Sequence, residues 1–145
     1  MIGVDTNLLV YAYREDSPFH EVAKKLIEEL RSQTAPWGIP WPCIHEVIAV
    51  MTNPKAFKEP TSLSDAFGFV ETLLASRSLH LLSEGPGYYE KLRLLASAAR
   101  LTGGRIHDAR IAALCLHHGV RELWSADRDF SKFPQLKARN PLVGS

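Results

Sequence analysis

Residues 1–13 read MIGVDTNLLVYAY. A short apolar run containing Ile2 and Val4 breaks at three polar residues, Asp5-Thr6-Asn7, and a helical pattern follows from about Leu8. This predicts a buried strand, a turn and a helix. The same alternation recurs down the chain. Residues 37–41 (WGIPW) form a second strand bounded by prolines, and Pro42 opens a helix over residues 43–52 that Asn53-Pro54 stops. Residues 79–82 (LHLL) and 122–126 (ELWSA) are the third and fourth strands, and residues 137–143 add a fifth, at an edge.

The intervening helices carry their own signals. Ser17-Pro18 reads as a helix cap with proline in the first position. The helix behind it puts Val22, Ala23, Leu26, Ile27 and Leu30 on one face and Glu21, Lys24, Lys25, Glu28 and Glu29 on the other. Ser62 and Asp65 form a capping box before Ala66, Phe69, Val70, Leu73 and Leu74. Tyr88, Leu92, Leu95, Ala96 and Ala99 mark a further helical face. Gly103-Gly104 precedes a helix over residues 105–118, which Gly119 ends. Short strands alternating with amphipathic helices predict βαβ units joined by right-handed crossovers. The expected fold is a three-layer α/β/α sandwich with a mostly parallel sheet of four to five strands, in one domain spanning residues 1–145.

Composition sets outer bounds. Of 145 residues, 46% are hydrophobic and 23% charged, which excludes a disordered chain. No uncharged apolar run approaches the ~18 residues of a membrane span. The first acid stands at residue 5 with no basic leader before it, so no secretory signal is expected. Cys43 and Cys115 are too far apart in sequence for a metal-type pair and suit a reducing, cytoplasmic setting. Net charge is +1, from 17 basic and 16 acidic residues, so bulk charge does not announce a nucleic-acid binder.

The placement of the acids says more. In a parallel α/β sheet, ligands bind beyond the carboxyl ends of the strands. Asp5 ends the first strand; Asp127 follows the fourth, with Asp129 two residues on. Glu46 falls near the start of the helix after strand two, and Asp108 lies in the first turn of the helix that leads into strand four. Both helices begin at the same rim. Four to five carboxylates from distant segments therefore converge, with no lysine or arginine among those strand-end positions. Clustered carboxylates raise one another's pKa unless a cation joins them. A hard divalent ion, Mg²⁺ or Mn²⁺, is the natural partner for oxygen donors. Ions held this way lower the pKa of water and neutralise developing charge, which is what phosphodiester hydrolysis requires. The expected products carry 5′-phosphate and 3′-hydroxyl ends.

Four stretches also carry a family likeness: MIGVDTNLLVYA, CIHEVIAVMTNP, GGRIHDARIAALCLHHGV and ELWSADRDFSKFP. In order and spacing they resemble the motifs of PIN-domain ribonucleases, and most of all the VapC toxins of bacterial toxin–antitoxin pairs. The resemblance covers essentially the whole chain. It implies that Asp5, Glu46, Asp108 and Asp127 form the acidic quartet and that Asp129 is the additional acid often found beside it. It implies that Asn7 and Ser125 hold the quartet, Ser125 standing where the family commonly has Thr. It further implies a Mg²⁺- or Mn²⁺-dependent endoribonuclease, a homodimer, an RNA substrate and a VapB-like antitoxin.

Arg14, Lys55, Lys58, Arg105, Arg110, Arg128 and Lys132 lie near the expected rim or in loops that reach it, with Arg14, Arg110 and Arg128 the candidates for RNA phosphate. His45 and His107 adjoin acids, but consecutive helical residues point ~100° apart, so structural roles are expected. Cys43 and Cys115 read as small buried residues, and Trp37, Trp41 and Trp124 as core or interface rings. The helices at residues 8–14 and 22–30 offer apolar faces for an antitoxin, whose Arg or Lys would enter the acidic pit. Two other readings stay open. A receiver-like phosphoacceptor or Asp-dependent phosphatase shares the size and the strand-end aspartates, but Asp5-Thr6-Asn7 lacks the Asp-x-Asp that such a site wants. A non-catalytic RNA-binding domain is the other, against which the intact set of acids speaks.

Overall fold

Strand β1 (Ile2–Val4) runs through the middle of the sheet, where both its faces are covered. It leads into α1 (Thr6–Tyr13) and α2 (His20–Ser32), then β2 (Trp37–Pro40), α3 (Trp41–Met51), α4 (Leu63–Leu74) and β3 (Leu79–Leu82). The chain continues through α5 (Tyr88–Ala98), a 3₁₀ turn at Gly103–Arg105, α6 (Ile106–His117), β4 (Glu122–Trp124), a second 3₁₀ turn at Arg128–Lys132 and β5 (Ala138–Arg139). The computed structural model describes residues 1–144.

The strands pair in the order β3-β2-β1-β4-β5, every neighbour parallel. From β1 the chain winds outward through β2 to β3. It then returns past β1 to β4 and winds the opposite way to β5. Right-handed crossovers place α1 to α4 on one face and α5 with α6 on the other. Contacts follow that division: α1 packs on α2 and α3, α3 on α4, and α5 on α6. The result is the expected three-layer α/β/α architecture. The winding direction reverses between β1 and β4, and such a reversal opens a crevice at the carboxyl ends of those two strands.

One apolar core fills the space between the layers. Val4, Leu8, Leu9, Trp37, Ile39, Leu114 and Leu123 are wholly buried. Trp37 is tolerated there because its indole N–H donates to Ser76 Oγ at 3.3 Å. Buried Ser78 donates in turn to the Leu30 carbonyl at 3.1 Å. Phe130 and Phe133 close the core beneath the last edge.

Several boundaries differ from expectation. Helix α2 begins at His20, not at Pro18, because Ser17 is consumed by turns. Its N–H donates to the Arg14 carbonyl, its carbonyl accepts from His20 and its hydroxyl accepts from the Phe19 N–H. Helix α3 starts at Trp41, with Pro42 in its first turn. The fifth strand keeps two residues of the seven expected, since an Asn140 side-chain turn onto the Leu142 N–H and Pro141 end the pairing. The outer face of α1 is not apolar and free: Leu8, Leu9, Val10 and Ala12 are buried, which leaves Phe19 and Val22 as the exposed large apolar residues of the α1–α2 region. Among the described residues, no helix is long and apolar enough to cross a membrane.

Two glycines give opposite expectations. A Cβ at Gly38 would meet three atoms of the buried Leu82 side chain at 3.0–3.2 Å, whereas a Cβ at Gly68, within α4, meets nothing within 4 Å. Gly38→Ala is expected to destabilise by about 1–3 kcal/mol through overpacking. Gly68→Ala is expected to stabilise by about 0.5–1 kcal/mol through helix propensity. Urea midpoints at unchanged slope check both.

Candidate active site

Asp5 is the last residue before α1 and caps it, its Oδ1 accepting from the Thr6 N–H at 2.8 Å. Its own N–H donates to the Trp124 carbonyl at 3.0 Å, tying the end of β1 to the end of β4. The residue is 5% exposed. A carboxylate that deep needs donors, and two more are present: the Ser125 hydroxyl donates to Oδ2 at 2.7 Å and the Cys43 thiol to Oδ1 at 3.4 Å. Burial pushes the Asp5 carboxyl above its usual range, repulsion from Asp127 adds to that, and the donors from Ser125, Thr6 and Cys43 oppose it. Burial also holds the Cys43 thiol well above its ordinary value, so it stays a protonated donor.

Ser125 carries the network onward. Its Oγ accepts from the Asp127 N–H at 3.0 Å and lies 3.5 Å from Asn7 Nδ2, while Asn7 Oδ1 accepts from the Ala126 N–H at 3.1 Å. Asn7 on α1 thus braces the turn after β4. Asp127 Oδ1 accepts from the Asp129 N–H at 2.8 Å and starts the 3₁₀ turn. Asp129 Oδ1 meets Arg105 Nη1 at 3.0 Å.

Glu46 and Asp108 reach the same crevice from α3 and α6. Loss of surrounding water raises the Glu46 carboxyl, and Asp5, Asp108 and Asp127 raise it further against an opposing His107. Asp108 is raised by the same loss of water and by Asp127, Asp129 and Asp5, with Arg105 opposing. Four segments of the chain therefore share one negative field at the reversal between β1 and β4. In these side-chain positions no three of the described His, Cys, Asp or Glu side chains close on one point tightly enough to hold an ion. The donor set is nonetheless all carboxylate oxygen, the chemistry that Mg²⁺ and Mn²⁺ take.

The other named residues divide. The Arg14 guanidinium is engaged within the chain by Asp16 (2.6 and 3.0 Å), the Glu59 carbonyl (2.8 Å) and Thr61 Oγ1 (3.1 Å), and it lies over the Phe57 ring. It stands at the far end of α1 from Asp5. Arg110 lies beside Glu46 and His107, with Glu84 at 3.7 Å. Arg128 is exposed and enters no ion pair among the described residues. No lysine or arginine stands at the strand ends themselves, but Arg105 reaches Asp129 from the 3₁₀ turn before α6. From sequence, Arg105 reads only as one of the bases near the rim and Cys43 only as a small buried residue; the structure adds their acid partners, Asp129 and Asp5. Arg105 and Cys43 each lie three positions before a rim acid, Asp108 and Glu46, and i, i+3 pairs share a helix face; that spacing was the available signal. Thr6 Oγ1, the buried side-chain oxygen left without a partner, belongs to the same cluster around Cys43.

The raised carboxyls fix a pH dependence. A group whose pKa rises on folding binds more protons in the native state, so stability falls as pH climbs from the ordinary carboxyl range through the raised native value, and then levels. In metal-free protein at neutral pH, Glu46→Gln is expected to raise the thermal midpoint. The gain should be several tenths of a kcal/mol, since Glu46 is exposed and solvent screens it. The difference should vanish below about pH 4, where the carboxyls protonate. Calorimetric melts of both proteins across that range check it.

Comparison with known proteins accords with this geometry. A family model for the PIN domain matches residues 2–136. Ribonuclease VapC43 of Mycobacterium tuberculosis is 40% identical over 144 residues, covering 99% of this chain and 97% of its own. Two solved structures share the fold. VapC20 of M. tuberculosis, described as a sarcin–ricin loop cleaving toxin, superposes with TM-score 0.66 at 17% identity over 94% of this chain and 99% of that one. A toxin–antitoxin complex from Klebsiella pneumoniae gives 0.62 at 19%, over 97% and 98%. The crevice acids, the winding reversal and a family match over nearly the whole length agree: this chain belongs to the PIN-domain family, and VapC ribonucleases are among its relatives there.

Proposed function

We propose that this protein is a divalent-metal-dependent endoribonuclease, the toxin of a toxin–antitoxin pair, acting in the cytoplasm as one nuclease domain that forms a homodimer. One observation carries the catalytic reading. Asp5, Glu46, Asp108 and Asp127 come from four separate segments and face a single crevice, where loss of water and the charge of Asp127 raise the proton affinity of Asp5, Glu46 and Asp108. Such a field has no use in folding and invites a cation. The ribonuclease names of relatives at 40% identity support the choice of RNA, and the toxin–antitoxin complex among the fold neighbours supports a VapB-like partner.

Asp5, Asp108 and Asp127, with Asp129, are the residues that would hold Mg²⁺ or Mn²⁺. The bound ion supplies a lowered water pKa and charge neutralisation at the phosphate. The protein does the rest. Ser125, Thr6 and Cys43 keep Asp5 in one orientation, and Asn7 holds the turn that presents Asp127. Glu46, with its raised proton affinity, is suited to accept the proton of an attacking water. Arg110 and Arg128 stand where RNA phosphates flank the crevice, and accessible single-stranded loops are the substrate class. Arg105 already pairs with Asp129, and an antitoxin arginine pairing with these carboxylates in the ion's place is the mode of inhibition this arrangement supports. Phe19 and Val22, at the turn into α2 and the far end of α1 from the crevice, are exposed apolar anchors for the rest of such a partner.

Purified protein with Mn²⁺ is expected to cleave a single-stranded RNA panel and to leave 5′-phosphate ends, with activity lost on chelation. Asp108→Asn should abolish cleavage with the fold intact by circular dichroism. Ser125→Ala should lower it about ten- to hundredfold, the usual effect of removing a group that orients a metal ligand. Full activity in Asp108→Asn, or cleavage that survives chelation, would refute the reading.

A further inference from the structure

A second feature opens directly off the acidic crevice. Helices α3 and α6 diverge from the rim and leave a groove of about 320 Å³, lined by His45, Glu46, His107 and Arg110 over a floor of Pro42 and Ile111. Glu46 belongs to both the crevice and the groove, so the two are continuous. Trp41, expected from the sequence to be a core or interface ring, is 36% exposed at the first position of α3. Its ring lies 6.0 Å, at an interplanar angle of 33°, from that of His45, which lines the groove, so a part-exposed aromatic step stands at the groove's margin. Trp37 shows the contrast, being wholly buried with its N–H satisfied. Arg110 reaches Glu84 only at 3.7 Å, outside hydrogen-bond length, so its donors remain available.

We infer that this groove is a subsite for the nucleotide next to the scissile phosphate, its base stacked on the Trp41–His45 step and its phosphate held by Arg110. The choice of ligand rests on the ribonuclease reading of the crevice. An exposed aromatic step beside an arginine, leading from a centre that acts on phosphodiesters, is the pairing single-stranded RNA requires: a flat face for the base and a fork of donors for the backbone. A duplex has its bases stacked on one another and offers no free face here. Stacking accepts any base, so the subsite selects for strandedness over sequence.

The test measures equilibrium binding to the full-length chain carrying Asp108→Asn, with two probes: a single-stranded oligoribonucleotide, and a phosphodiester chain of equal length and charge lacking bases. Adding Trp41→Ala is expected to weaken binding of the oligoribonucleotide about tenfold or more, the usual loss of one stacked base, and to leave the abasic chain unaffected. Trp41→Phe, which keeps a ring, should recover most of that loss. Equal losses on both probes, no loss on either, or no binding of the oligoribonucleotide at all would overturn the subsite. Cleavage by the unsubstituted protein is scored separately. Cleavage without any effect of Trp41→Ala on binding refutes the groove alone. Base-dependent binding without cleavage refutes the nuclease reading alone.

Discussion

A carboxylate taken out of water at the end of β1 is the constraint on which the rest of the site depends. Buried charge costs several kcal/mol unless donors replace the lost hydration. Asp5 recovers it from three: the amide of Thr6 on α1, the thiol of Cys43 on α3 and the hydroxyl of Ser125 after β4. Each comes from a different segment. Satisfying one side chain therefore fixes the junction of β1 with α1, the start of α3 and the turn after β4. Ser125 then orients Asp127 through its backbone N–H, and Asp127 orients Asp129 in the same way. The polar network is continuous, with Thr6 Oγ1 its one unpartnered buried side-chain oxygen among the described residues, and such a network rigidifies what it joins.

Topology explains why those segments meet. The winding reverses between β1 and β4, so no helix crosses the carboxyl ends of that pair and the crevice stays open. Helices α3 and α6 begin at that rim and deliver Glu46 and Asp108. The surrounding carboxylates then stand near enough to raise the proton affinity of Glu46 and Asp108, against His107 at the first and Arg105 at the second, and Arg105 pairs with Asp129. The metal-free protein is thus strained electrostatically and well braced mechanically. That combination suits a site built to receive a cation without moving its framework.

Much of this could be read before any coordinates. Asp5 and Asp127 follow strands directly, and Asp108 falls in a first helical turn, so the parallel-sheet rule alone carries them to one rim. The resemblance to PIN-domain ribonucleases supplied Asn7 and Ser125, whose bracing role is a matter of two turns meeting across 118 residues and leaves no local signal. Local placements were harder to read, for physical reasons. Arg14 sits one helix length from the crevice, and its guanidinium found carboxylate, carbonyl and ring partners nearby. Ser17-Pro18 has the chemistry of a helix start, but turns through Ser17 delay α2 to His20. Trp41 reads from the sequence as the end of a strand and a core or interface ring; it begins α3 instead and is part-exposed there. Propensity identifies elements well and says little about which partner a long side chain will reach.

The central claim is that the crevice acids act as one cation-binding group. Thermal melting of the metal-free protein against added Mn²⁺ or Mg²⁺ tests it most directly, because an ion that binds only the folded state stabilises it by mass action. At a hundredfold excess over the dissociation constant the midpoint should rise by roughly 5–10 °C in the unsubstituted protein. The rise should be absent in Asp108→Asn. A midpoint that millimolar ion leaves unchanged, or one that rises equally in the variant, would contradict the claim.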